Sequence, residues 1–212
     1  MIAPHDLWLF VVSSFLLAIT PGPDTLYIAS RSSTLGVRAG VFAALGVGTG
    51  IFVHIAGAVL GLSALLAAST KVFVILKFIG SVYLIYVGIA LIRLTFSSMS
   101  STVVTPSREV SIGSIFRQGF LTNVLNPKVA LFFVAFLPQF VDPSSTGQGL
   151  ALLYLGLLFN LIGTLWNLLV AYLTASLAGK LSAYRTVLTW INRCVGVFFI
   201  FIGCKLMFER SD

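Results

Sequence analysis

Two charged side chains stand where their chemistry is hardest to satisfy. Asp24 follows "TPGP" (residues 20–23), Lys128 follows "NP" (126–127), and both lie inside long apolar runs. A buried carboxylate or ammonium costs several kcal/mol unless a partner compensates it, so each is a functional candidate first. Asp24 is the only acidic residue well inside a run; Asp6, Asp142, Glu209 and Asp212 sit at edges and Glu109 in a polar segment. Pro23 can restart a helix at its first position, which puts Asp24 in a first turn where the dipole favours an anion. Capping alone therefore competes with function at Asp24. Asn126 and Pro127 form a good N-cap and first-turn pair. They leave Lys128 at the helix end where the dipole disfavours a cation, so capping of its own helix does not explain it. The bland reading of Lys128 is a side chain that snorkels toward a polar surface.

Helix N-termini with a lysine make an anion site, and a nearby carboxylate offers a cation site. A zwitterionic amino acid carries both charges a few ångströms apart, so Asp24 and Lys128 suit such a ligand chemically. The rival is a buried Asp24–Lys128 ion pair that ties two parts of the chain together. Asn160, Gly163, Thr164 and Asn167 fall at i, i+3, i+4 and i+7, on one helix face. Asparagines at membrane depth bond across helices or line a cavity. His54 could relay protons, although a lone histidine is more often structural. "GVGTG" (46–50) and "GAVLG" (57–61) each space glycines by four, a signal for close helix packing. Neither follows a strand, so neither reads as a phosphate loop. Cys194 and Cys204 read as small apolar residues. No nucleophile–base pair, metal-ligand cluster or cofactor motif stands out, which weakens an enzymatic reading.

The elements that must position these residues are helices in a bilayer. The chain has 212 residues, of which 58% are hydrophobic and 9% charged, whereas soluble domains hold about 25% charged residues. Six runs can span a membrane, roughly residues 7–28, 39–67, 71–94, 114–138, 149–176 and 186–208. They form one all-α integral membrane domain over residues 1–212. The leader "MIAPHD" lacks Lys and Arg, so the first run reads as a retained helix and not as a signal peptide. The net charge of +7 is read through loop placement, not as a nucleic-acid patch. Arg31, Arg38, Arg93, Arg108, Lys180 and Arg185 follow runs 1, 3 and 5, against Lys71, Lys205 and Arg210 on the other side. The positive-inside rule then puts both termini outward.

A Ser/Thr-rich linker at 95–112 divides the chain into halves 1–94 and 113–212 with three runs each. An odd number of crossings per half orients the halves oppositely, as in inverted-repeat transporters. An offset of 106 residues aligns Pro21 with Pro127, Gly50 with Gly156, Gly57 with Gly163, and His54 with Asn160. Each proline removes a backbone donor and breaks its helix. Broken backbone at membrane depth is tolerated only where protein or a wet cavity covers it. Paired breaks in runs 1 and 4 therefore point to a binding site.

"AITPGPDTLYIASRSSTLGVRAGVFAALGVGTG" and "GFLTNVLNPKVALFFVAFLPQF" resemble the LysE/RhtB amino-acid exporters, and the likeness covers essentially the whole chain. The resemblance implies an inner-membrane exporter of amino acids or derivatives, energised by the proton-motive force. It also implies that Thr20, Pro21, Gly22, Pro23, Asn126, Pro127 and Lys128 form the functional core. With Asp24, Asn160 and Asn167 these make the candidate substrate site, and Asp24 and His54 are the candidates for proton coupling. The expected partners are an amino-acid substrate, protons and lipid, without nucleic acid, metal or cofactor; homo-oligomerisation stays open. The alternatives are a passive solute channel and a membrane-embedded enzyme.

Overall fold

The computed structural model describes residues 4–62, 70–96, 110–141, 147–177 and 185–208. Among them are eight α-helices and no strand. In chain order these are α1 (Pro4–Ile19), α2 (Pro23–Leu35), α3 (Val37–Gly57), α4 (Thr70–Leu94), α5 (Ile112–Val124), α6 (Pro127–Leu131), α7 (Gln148–Ser176) and α8 (Arg185–Phe208). A π-helical turn, Ala58–Leu62, extends α3; a π-helical turn, Phe132–Phe136, and a 3-10 turn, Leu137–Phe140, extend α6. The linker lies outside the described residues except at its ends.

Proline chemistry sets the two bends. Pro23 occupies the first turn of α2, where its missing N–H leaves no helical bond unmade. The axes of α1 and α2 differ by 51°, and those of α5 and the segment from Pro127 to Phe140 by 44°. Val37–Gly61 and Gln148–Ser176 are each long and apolar enough to cross a membrane, and each bent pair, taken together, is long and apolar enough as well, as a broken span or a re-entrant loop. Within α4 and α8 the described apolar stretches are shorter, Ser81–Ala90 and Arg193–Cys204. Both halves thus share one order: a bent pair, a long helix, a third helix. Large apolar side chains such as Phe52, Leu161, Leu165 and Phe201 are exposed, the exterior expected of a protein solvated by lipid.

The helix restarted by Pro23 runs on to Leu35, past the expected end of the first run. Arg31 therefore lies inside α2 and not in a loop, where its guanidinium donates to Gln118 Oε1 at 3.0 Å and covers the Tyr27 ring. Arg38 lies in the first turn of α3. Gly36 alone joins α2 to α3, at φ 85° and ψ 176°, a conformation that is essentially glycine's. The loop-charge argument thus loses Arg31 and Arg38 to helices, while Arg108, Lys180 and Arg210 lie outside the described residues.

Small residues set the helix crossings. Gly46 and Gly50 of α3 back onto Phe116 and Phe120 of α5; both numbers rise together, so α3 and α5 run parallel. Gly48, Ile51 and Ile55 meet Thr164, Gly163 and Gly156 of α7; one number falls as the other rises, so these helices are antiparallel. The pair α4–α8 is antiparallel too, and its contact is reciprocal. A Cβ on Gly88 would meet the Gly196 carbonyl and Ile200, and one on Gly196 would meet the Gly88 carbonyl and Ile92. Such self-complementary contact is what a local two-fold produces. Gly57 and Gly61 differ from expectation: nothing lies within 4 Å of a Cβ at either. Both lie on the exposed face of the chain, while Ala58 and Val59 between them turn to the core and to Gly149 of α7.

The main apolar core gathers Phe10, Phe132, Phe133, Phe136, Phe140 and Phe159 around the second bend. A smaller one, built on Ala39, Ala43, Ala44, Val47, Ile28 and Ile115, packs α2, α3 and α5 closely.

Candidate functional site

At the first break Thr20 ends α1 and donates its hydroxyl to Leu16 O at 2.7 Å. Helix ends leave carbonyls without intrahelical partners. Lys128 supplies two of them, its Nζ donating to Leu17 O at 3.0 Å and to Thr20 O at 2.9 Å. The lysine disfavoured at the start of α6 thus sits at the C-terminal end of α1, where the dipole attracts a cation. Each hydrogen bond to a charged group is worth roughly 1.5–3 kcal/mol, so two offset much of the penalty for burying the ammonium. Gly22 is extended, at φ −153°, a conformation open to any residue. Its value is space: a Cβ there would stand 3.1 Å from Lys128 Nζ. Pro21 and Pro23 flank this slot and carry no N–H to compete for the same carbonyls.

At the second break Asn126 caps α6, its Oδ1 accepting from Lys128 N at 3.0 Å, with Pro127 following. The Asn123 carbonyl, which also accepts from Asn126 N at 2.9 Å, accepts from His54 Nε2 on α3 at 3.1 Å, and the imidazole lies beside the Phe133 ring. Asn123 is the residue that sequence reasoning missed. Its Nδ2 donates to Asp24 Oδ2 at 2.8 Å, joining the two halves across the breaks. The signal was present in "TNVLNPK": an asparagine one helical turn before Asn126.

Asp24 and Lys128 do not form an ion pair; Asp24 binds Asn123 and Lys128 binds α1 carbonyls. Asp24 does lie in the first turn of α2, as a restart at Pro23 requires, while the N-cap position, Gly22, supplies no side-chain cap. Asp24 Oδ1 and Asn123 Oδ1 are buried acceptors without a hydrogen-bond partner among the described residues. Both residues line a cavity of about 40 Å³ with Lys128, Leu17, Thr25, Phe159, Gly163 and Asn167. A water needs roughly 10–15 Å³ on this measure, so the space holds a few waters and no amino acid. A second space, about 370 Å³, lies on the other side of Lys128 and is lined by Thr20, Pro21, Gly22, Pro23 and Pro127 together with α4. Asn167 belongs to the smaller cavity. Asn160 does not: it accepts from Thr164 Oγ1 at 3.0 Å beside Gly48, so helix packing occupies it.

An all-helical membrane chain that stores opposite charges at two facing helix breaks has the build of a transporter, not of an enzyme. Comparison with known proteins gives the family. The LysE type translocator model matches residues 15–210, and the chain belongs to that family. It is 30% identical to an uncharacterized membrane protein of Pseudomonas aeruginosa, PA4757, over 95% of this chain and 94% of that one. It is 31% identical to the uncharacterized membrane protein YrhP of Bacillus subtilis, over 80% of this chain and 83% of that one. A leucine efflux protein of Salmonella typhimurium is 25% identical, over 96% and 95%. No solved structure matches. The chain is an integral protein of the bacterial inner membrane.

Proposed function

We propose that this protein is a secondary transporter that exports amino acids, with six spans arranged as two inverted halves and energised by the proton gradient. One observation carries the reading: a buried carboxylate and a half-buried ammonium face one cavity without pairing, and one oxygen of that carboxylate and the neighbouring Asn123 Oδ1 go unused. A substrate ammonium has the donors that Asp24 Oδ1 and Asn123 Oδ1 lack. A substrate carboxylate can replace the Leu17 and Thr20 carbonyls as the acceptor for Lys128. Because Lys128 holds α1, that exchange releases the C-terminal end of α1 and couples binding to movement at the break. A proton taken up by Asp24 removes the anion that holds the ammonium, and the substrate leaves. His54 sits one residue away from Asp24 through Asn123 and is the second proton candidate.

The opposed directions of α4 and α8, and the reciprocal Gly88–Gly196 contact, support the inverted halves. The test uses proteoliposomes loaded with labelled amino acids under an imposed proton gradient. A transporter concentrates substrate uphill and loses this ability when a protonophore collapses the gradient. A passive channel only equilibrates, and an enzyme returns altered solute.

A further inference from the structure

Helix α4 has two faces. Ser81, Ile85, Gly88 and Ile92 meet α8. Tyr83, Tyr86, Val87 and Ala90, at i, i+3, i+4 and i+7, face the two breaks instead. With Leu131 they make the apolar wall of the 370 Å³ groove whose other wall is Thr20–Pro23, Pro127 and Lys128. Beyond its α8 partner, α4 touches the core chiefly through the π-helical turn Phe132–Phe136, so the wall can move with its tightly packed helix pair. The groove meets the polar cavity at Lys128, the residue lining both.

We propose that this groove is the side-chain subsite and that it selects amino acids with bulky apolar side chains. The inference rests on the transport reading above. An amino acid whose carboxylate reaches Lys128 places its side chain within a few ångströms of that cation. On the groove side the walls beyond Thr20 and Lys128 are aromatic and aliphatic, and among the described residues no carboxylate lines them. A lysine or arginine side chain would bury its charge there without a partner, which is strongly unfavourable. Small side chains would leave the space unfilled. Tyr83 and Tyr86 offer broad rings to a branched or aromatic side chain. The sequence carried this signal in "YLIYVGIA" (83–90), where the helical spacing separates the glycine face from the tyrosine face.

The experiment measures efflux of labelled leucine, phenylalanine, alanine and lysine from proteoliposomes holding the full chain or its variants. The wild type should favour leucine and phenylalanine. Ala90→Trp, which fills the groove, should cut their efflux at least about tenfold relative to alanine. Ala90→Asp should raise lysine relative to leucine. Insertion and monodispersity of each variant are checked in parallel. Should either variant fail to fold, Tyr86→Cys in a background with Cys194 and Cys204 changed to Ser replaces it, with thiol labelling as the readout. Leucine should then slow labelling at position 86 and lysine should not. Amino-acid efflux with wild-type selectivity in both Ala90 variants, or equal labelling with and without leucine, would assign the groove to lipid and overturn the subsite alone. Absence of efflux for every amino acid in the wild type would overturn the export reading and the subsite with it.

Discussion

The two helix breaks, 106 residues apart at Pro21 and Pro127, are closed in different ways. In the first, the Leu17 and Thr20 carbonyls receive a full cation, Lys128, from the opposite half. In the second, the Asn123 carbonyl receives His54, again from the opposite half. Leu17 and Asn123 are 106 residues apart, the same offset that pairs Pro21 with Pro127. Only the second break carries a local side-chain cap, Asn126; Gly22 gives the first none. The difference teaches where rearrangement is easiest. The second break is held by its own asparagine, by the Asn126 backbone N–H and by the His54 imidazole. The first depends on one long side chain, which in the proposed mechanism trades carbonyls for a substrate carboxylate.

Lys128→Ala should have the largest effect on this contrast. It leaves two buried carbonyls without donors, at about 1–3 kcal/mol each, and removes the anion-binding group. Efflux should fall to the background of protein-free vesicles, with an apparent melting temperature lowered in detergent. Lys128→Arg should also transport poorly, because a planar fork does not fit the slot over Gly22. Efflux at wild-type rates by the alanine variant, at equal insertion, would refute the role of the first break.

Asp24→Asn sharpens the comparison from the other side. The amide keeps the shape of the carboxylate but cannot exchange a proton or bind an ammonium as an anion. Uphill transport should stop, and any residual downhill flux should lose the pH dependence that the wild type shows. An unchanged pH profile would move proton carriage to His54.

Gly22→Ala comes next, since its Cβ would press on Lys128 Nζ. Efflux should drop several-fold while the helices still form, as circular dichroism would report. His54→Ala should be milder. It takes one donor from a carbonyl that keeps a second bond from Asn126 N, so a loss of about 1 kcal/mol is expected in thermal unfolding. If His54 lies on the proton path, the pH profile of transport shifts as well. Gly36→Ala should act on folding alone, by about 1–3 kcal/mol from its φ of 85°, with leucine selectivity unchanged.

The breaks were legible because proline, glycine and buried charge are costly in a span and therefore stand out singly. Asp24, Lys128 and the Asn126–Pro127 cap could be read one residue at a time. Their partners could not. That Lys128 binds carbonyls of α1, and that Asn123 joins Asp24, depends on which helices meet, and periodicity carries no such information. Asn160 and Asn167 share a helix face, yet only one lines the cavity, because Gly48 admits α3 against Asn160 and Thr164. Arg31 was placed in a loop because the first run loses hydropathy after residue 28, although α2 stays helical to Leu35 on polar residues. The α4 wall went unread because tyrosine, valine and alanine are ordinary membrane residues until a groove is seen beside them.

The central claim is that one zwitterion spans the charges held at the two breaks. Its most direct test is competition against labelled-leucine efflux in proteoliposomes by leucine, by leucinamide, which lacks the carboxylate, and by 4-methylpentanoate, which lacks the ammonium. The account predicts that unlabelled leucine competes and that neither analogue does at equal concentration. Equal competition by either analogue would show that Asp24 and Lys128 do not read the two ends of a single amino acid, and would contradict it.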